Sequence, residues 1–212
     1  MIANPSNNNL LEIKDLKVWF PIARGVFSRV SGYIKAVDGV SLSLRAGETL
    51  GLVGESGSGK TTLGRTVVGL EKSHAGEIHF GGQPVTERFD RHLRRRIQMI
   101  FQDPYASLNP RMTVIDLLTE GLEEHGLLQE SREEAALRLL ADVGMDRAML
   151  YRYPFEFSGG QRQRISMARA ISIRPECVVC DEPISALDVS IQAQVINLLM
   201  DLKEKYGLSY LF

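Results

Sequence analysis

Short strand-like runs that alternate with helical stretches predict an α/β fold with a mainly parallel core. The composition agrees: 44% of the 212 residues are hydrophobic and 24% charged, as in an ordinary soluble globular chain. The length suits one large domain or two small ones, and buries enough surface to need no disulfides or metals for a core. Lys and Arg total 25 against 26 Asp and Glu, so no basic field argues for nucleic acid. Two cysteines make no disulfide scaffold and fit a reducing compartment.

Residues 1–10, MIANPSNNNL, lack the positive start and apolar core of a signal peptide and read as a disordered tail. No apolar run reaches the roughly 18 residues a spanning helix needs. The expectation is a soluble chain that meets a membrane only through a partner. LLEIKDLKVWF follows as a strand with one irregularity, since Leu11, Ile13, Leu16, Val18 and Phe20 alternate imperfectly. PIARGVFSRVSGYIK, with Gly25, Gly32 and three basic residues, reads as a loop. It leads to a second alternating strand, VDGVSLSL. ETLGLVG and GEIHFGG read as short strands with glycine stops.

Helical texture begins after Asp103. Ser131 and Glu134 form an S-x-x-E capping box ahead of Ala136, Leu140 and Val143, and Gly144 supplies a stop. RISMARAISI has helical spacing, CVVCD is a short buried strand, and Asp188 caps the helix VSIQAQVINLLMDLKEKYG. LSYLF is a final strand-like run, expected as an exposed edge.

GESGSGKTT, from Gly54 to Thr62, matches G-x-x-x-x-G-K-[ST] between an apolar strand and a helix. Its glycines let successive backbone N–H groups turn toward phosphate oxygens, and the helix N-terminus adds partial positive charge. Lys60 then reaches the β and γ phosphates, and the Thr61 hydroxyl ligates Mg²⁺. Asp181 and Glu182 end the apolar run CVVC, where an acid at a strand tip completes a Mg²⁺ shell and the next can polarise water. Cys177 and Cys180 also spell C-x-x-C. Strand positions three apart point to opposite faces, so the pair reads as small buried apolar residues rather than ligands. His74, His79, His92 and His125 lack metal spacing and read as loop or surface residues.

FSGGQRQRISMARAI opens a helix on Ser158, Gly159 and Gly160, a second nest for an anion. Together, GESGSGKTT, FSGGQ, CVVCDEP and SALD, in this order, resemble the nucleotide-binding domain of ATP-binding cassette (ABC) proteins from Leu11 to Phe212. That resemblance implies ATP and Mg²⁺ as cofactors, held on the phosphate side by Gly54, Glu55, Ser56, Gly57, Ser58, Gly59, Lys60, Thr61 and Thr62. It implies that Ser158, Gly159, Gly160 and Gln161 close on the ATP of a second ATPase subunit, the same chain or a related one. Gln102, in IQMIFQDP, becomes the glutamine that senses Mg²⁺ and water, beside the metal ligands Thr61 and Asp181 and the catalytic Glu182. Asp188 becomes the aspartate at the dimer seam, and Phe20 the aromatic that stacks on adenine, with Tyr33 as an alternative.

The implied architecture is a P-loop, RecA-like core (residues 11–101 and 173–212) with an antiparallel β subdomain. A helical subdomain carrying the signature occupies residues 102–172. FQDPYASLNPRMTV and EFSGGQRQRISMARAI further resemble the ATPases of oligopeptide, dipeptide and nickel importers, a pattern shared with glutathione importers. The expected partners are transmembrane permeases and, indirectly, a substrate-binding protein. The expected location is the cytoplasmic face of the cell membrane, with Tyr105 and Leu108 beside the groove for a permease helix. The family's switch histidine lies past a run like LSYLF, so the sequence reads as C-terminally truncated. A module that binds ATP without productive hydrolysis is the competing reading. A cassette ATPase acting on ribosomes or DNA is disfavoured by the charge balance.

Overall fold

The computed structural model describes residues 9–24, 29–85, 89–185 and 187–212. Residues 1–8 of the expected tail lie outside that range, but Asn9 and Leu10 do not belong to a tail: they already pair in the first strand. The chain divides into two compact units. One extends to Asp90 and takes in Leu211–Phe212; the other is Arg91–Tyr210.

In the first unit, β1 (Asn9–Arg24) and β2 (Arg29–Arg45) form one long antiparallel hairpin. The expected loop over residues 21–35 is therefore mostly strand, with Phe20 opposite Ile34, Ile22 opposite Gly32 and Ala23 opposite Val30. The β-branched and aromatic residues there decide the pairing, and Gly32 is accommodated within the strand. β1 buries Leu11, Ile13, Leu16 and Val18. Where the sequence predicts one irregularity, the strand has several register shifts against β2; at the one between Ile13 and Leu16, Asp15 takes a left-handed φ of 45°. After β3 (Thr49–Leu50) and α1 (Lys60–Val67), β4 (Ala75–Phe80) and β5 (Gln83–Pro84) complete the antiparallel order β2-β1-β4-β5. His79 thus lies in a strand and is half-buried, not in a loop. The strand expected at ETLGLVG is only two residues long. Beyond it, Phe212 exchanges backbone hydrogen bonds with Leu50 and Leu52, while Val53 is wholly exposed.

The second unit runs α2 (Arg91–Arg96), β6 (Ile97–Ile100), α3 (Pro104–Ser107), α4 (Val114–Glu124), α5 (Arg132–Asp142), α6 (Gly159–Ser172), β7 (Cys177–Cys180), α7 (Val189–Tyr206) and β8 (Ser209–Leu211). β6 and β7 pair in parallel, from Ile97 opposite Cys177 to Ile100 opposite Cys180. Continuous apolar strands of this kind are covered on both faces, and all four β7 residues are buried. Cys177 and Cys180 are free thiols, and burial pushes the Cys177 thiol up to about 12 and that of Cys180 higher still. β8 neighbours β7, with Ser209, Tyr210 and Leu211 buried, so LSYLF is not the exposed edge expected of it.

Local chemistry fixes the ends of these elements. The predicted box of Ser131 and Glu134 caps α5, and Gly144 turns out of it at φ 65°. Thr113 and Asp116 cap α4 in the same way, and Arg132 reaches back to Asp116 at 2.7 Å. Asp188 stands at the N-cap of α7 but makes no side-chain capping bond. Just ahead of the parallel pair, Arg96 grips Glu176 through two guanidinium N–H groups, and the Glu176 backbone N–H donates to Arg96 O at 2.8 Å. The hydrogen bond from Arg96 holds the Glu176 carboxyl below the usual glutamate range. Its stabilising contribution is present above the unfolded glutamate pKa and fades as pH falls through the lowered folded value.

Candidate functional site

The residues singled out in the sequence fall into one set in each unit. In the first unit the segment Gly54–Thr62 joins the end of the β3 region to α1. Gly57 and Gly59 take left-handed φ values of 81° and 97°, and Gly59 is the N-cap of α1. A Cβ at Gly59 would lie 2.1 Å from the Ala36 carbonyl oxygen, so the loop closes against β2 at a point where only glycine fits. Lys60 Nζ arches back over the loop and donates to Gly54 O at 2.7 Å and Glu55 O at 3.0 Å. Glu55, Ser56 and Ser58 are exposed, Thr61 and Thr62 are half-buried, and no acidic residue occupies the first turn of α1. The cradle therefore offers a helix N-terminus without an acidic first turn and an ammonium, which together suit a phosphate group.

Phe20 lies on the same hairpin. It pairs with Ile34, two residues along β2 from the carbonyl that touches Gly59, and is 36% exposed. Neighbouring strand residues face opposite sides. On the other face, Tyr33 joins a ring cluster in which Trp19 stacks on His74 at 4.4 Å and Tyr33 lies 5.7 Å from His74. Tyr33, 48% exposed, therefore stands on the opposite face of the hairpin from Phe20.

In the second unit the parallel pairing of β6 and β7 sets the strand tips side by side. Asp181, 7% exposed, directly follows β7, and its backbone N–H donates to Ile100 O at 2.9 Å. The chain leaving β6 then brings Gln102 Nε2 to within 3.1 Å of Glu182 Oε2 and 3.3 Å of Ser185 Oγ. Glu182 takes a left-handed φ of 43°. A non-glycine residue there costs about 1–3 kcal/mol and persists only where its surroundings enforce it. The enforcement is visible: the Ser185 backbone N–H and hydroxyl both donate to Glu182 O, at 3.2 and 3.1 Å. Ser185 was not picked out from the sequence, although it opens the SALD run; the Ala186 of that run lies outside the described residues.

Ser158 is the N-cap of α6 and forms a reciprocal box with Gln161, in which Ser158 N donates to Gln161 Oε1 at 3.0 Å. A Cβ at Gly160 would come within 2.9 Å of Ile191 Cγ2, and one at Gly159 within 3.7 Å of Leu187 Cδ2. The start of α6 is therefore packed against the segment that follows Glu182. Asp188 is exposed. Leu108 is 2% exposed and belongs to the core, so it cannot offer a docking surface; Tyr105 is 52% exposed, beneath the Arg162 guanidinium at 5.0 Å. Among the described residues no group of three His, Cys, Asp or Glu side chains is placed to hold a metal ion, and no helix is long and apolar enough to cross a membrane.

Comparison with known proteins bears on this geometry. A family model described as ABC transporter matches residues 37–185. The chain is 51% identical over 212 residues to the oligopeptide transport ATP-binding protein AppF of Bacillus subtilis, covering 98% of this chain and 64% of that protein. It is 52% identical over 203 residues to the peptidoglycan transport ATP-binding protein YejF of Agrobacterium fabrum, covering 93% of this chain and 37% of that one. It is 50% identical over 209 residues to the glutathione import ATP-binding protein GsiA of Escherichia coli K12, covering 96% and 33%. The chain thus spans between a third and two thirds of the length of these relatives. Among solved structures, a dimeric post-hydrolysis state of the ATP-binding cassette MJ0796 bound to ADP and Pi superposes with a TM-score of 0.81. That match is 26% identical and covers 95% of this chain and 86% of that one.

Proposed function

The chain belongs to the ABC transporter family, and we propose that it is the ATP-binding subunit of an importer, hydrolysing ATP to drive uptake of peptides or a related cargo. The observation that carries this reading is the Gly54–Thr62 loop, closed on β2 at Gly59 with Lys60 folded over it. The triphosphate enters that cradle, Lys60 exchanges the Gly54 and Glu55 carbonyls for phosphate oxygens, and the base stacks on Phe20. The residues that would hold Mg²⁺ are Thr61 in the first unit and Asp181 and Gln102 in the second; the ion would supply charge neutralisation on the phosphates.

Glu182 accepts a proton from the attacking water, with its carboxylate oriented by Gln102 Nε2. Ser158, Gly159, Gly160 and Gln161 present the N-terminus of α6 to the nucleotide of a second ATPase subunit, with Asp188 at the seam. Residues 102–172 act as the helical lobe that passes this closure to transmembrane permeases, holding the protein on the inner face of the membrane. The name of the AppF relative favours oligopeptide cargo.

The direct test of the phosphate cradle is Lys60→Ala. Loss of a charge-assisted contact of about 1.5–3 kcal/mol weakens ATP at least about tenfold. Unchanged ATP affinity in equilibrium titration would remove Lys60 from the site.

A further inference from the structure

Gln163 lies on α6 two residues beyond the signature and is 1% exposed, yet neither its Oε1 nor its Nε2 has a hydrogen-bond partner. A buried amide with both ends unpaired is costly, and a native fold rarely keeps one without use. Its position narrows the use. In helical spacing Gln163 shares a face with Gly159 and Gly160 behind it and with Ser166 and Met167 ahead. Gly159 and Gly160 press on Leu187 and Ile191, in the stretch that follows Glu182. Ser166 Oγ lies 3.3 Å from Ser107 Oγ, at the foot of the loop that starts at Gln102, and Arg169 donates to Ser107 O from the same helix. The face carrying the orphan amide thus spans the two loops whose leading residues, Gln102 and Glu182, meet at 3.1 Å.

We propose that Gln163 is a positioning residue for hydrolysis. Its unpaired amide destabilises the present arrangement relative to one in which α6 and the 183–188 segment shift and the amide bonds that segment's backbone. ATP-driven closure of the signature onto a second subunit supplies that shift, and the new bonds fix the stretch behind Glu182. The inference rests on the proposed ATPase function, and its action is through Glu182 rather than on nucleotide.

The test replaces the amide with an apolar side chain of similar size, as Gln163→Leu and Gln163→Met. Both variants are expected to melt at or above the temperature of the unmutated protein, because an unsatisfied polar group is gone. ATP affinity stays the same, while kcat falls at least about tenfold, the loss of roughly one buried hydrogen bond. A purely structural role would move the melting temperature and leave kcat alone. In the unmutated protein, ATP should slow hydrogen exchange at the amides of Ile184, Ser185, Leu187 and Asp188. That measurement stands even if neither variant folds. Variants with kcat within about twofold of the parent, or a parent that hydrolyses ATP with no change in exchange there, would overturn the role of Gln163. A parent that does not respond to ATP overturns the underlying function instead, so the two failures are distinguishable.

Discussion

Replacing Glu182 with Gln is expected to stop ATP turnover while leaving ATP bound. The substitution preserves shape, and an amide oxygen can still accept from Gln102 Nε2, 3.1 Å away in the present structure. The left-handed backbone at φ 43° tolerates Gln as it tolerates Glu. What disappears is the capacity to take a proton from the attacking water, and loss of a general base costs about 10²–10⁴-fold in rate. Phosphate release should fall by that factor while ATP affinity stays within about twofold of the parent. Size exclusion should then capture an ATP-bound dimer, since the step that separates the subunits is blocked. Phosphate release at the parental rate would mean that Glu182 is not the base.

Gly59→Ala should be as damaging by a different route. The added Cβ lies 2.1 Å from the Ala36 carbonyl oxygen, and backbone cannot yield as a flexible side chain can. The residue also holds φ at 97°, where a non-glycine side chain is strained by about 1–3 kcal/mol. Together these forces push the loop off β2 and turn its N–H groups away from phosphate. ATP affinity should fall at least about a hundredfold, the equivalent of roughly 2.7 kcal/mol. The antiparallel sheet, whose buried Leu11, Ile13, Leu44 and Phe80 lie elsewhere, should stay folded by circular dichroism. A folded Gly59→Ala protein that binds ATP normally would contradict the closed-loop account.

Much of the site was legible because it is local. The candidate phosphate loop, Gly54–Thr62, is marked by glycines whose left-handed φ values at 57 and 59 are a property of that short segment. Ser158 and Gln161 pair within one helical turn, as the S-x-x-Q spacing allows, and so do Ser131 and Glu134. What the sequence hid was tertiary. Residues 21–35 looked like a loop because their glycines and arginines are conspicuous, whereas the pairing of Phe20 with Ile34 depends on a partner strand. Leu108 looked available beside two prolines, yet packing buries it. Ser185 matters through its bonds to Glu182 and Gln102, and Gln163 through the absence of any bond; neither carries a signal in residue type alone.

The central claim is that the Gly54–Thr62 cradle holds nucleotide by its phosphates. Calorimetric titration of the purified protein with ATP and, separately, with adenosine tests it most directly. The account predicts saturable ATP binding and adenosine binding at least about a hundredfold weaker, because adenosine meets Phe20 but forfeits several charge-assisted contacts. Equal affinity for the two ligands, or no binding of ATP at all, would contradict it.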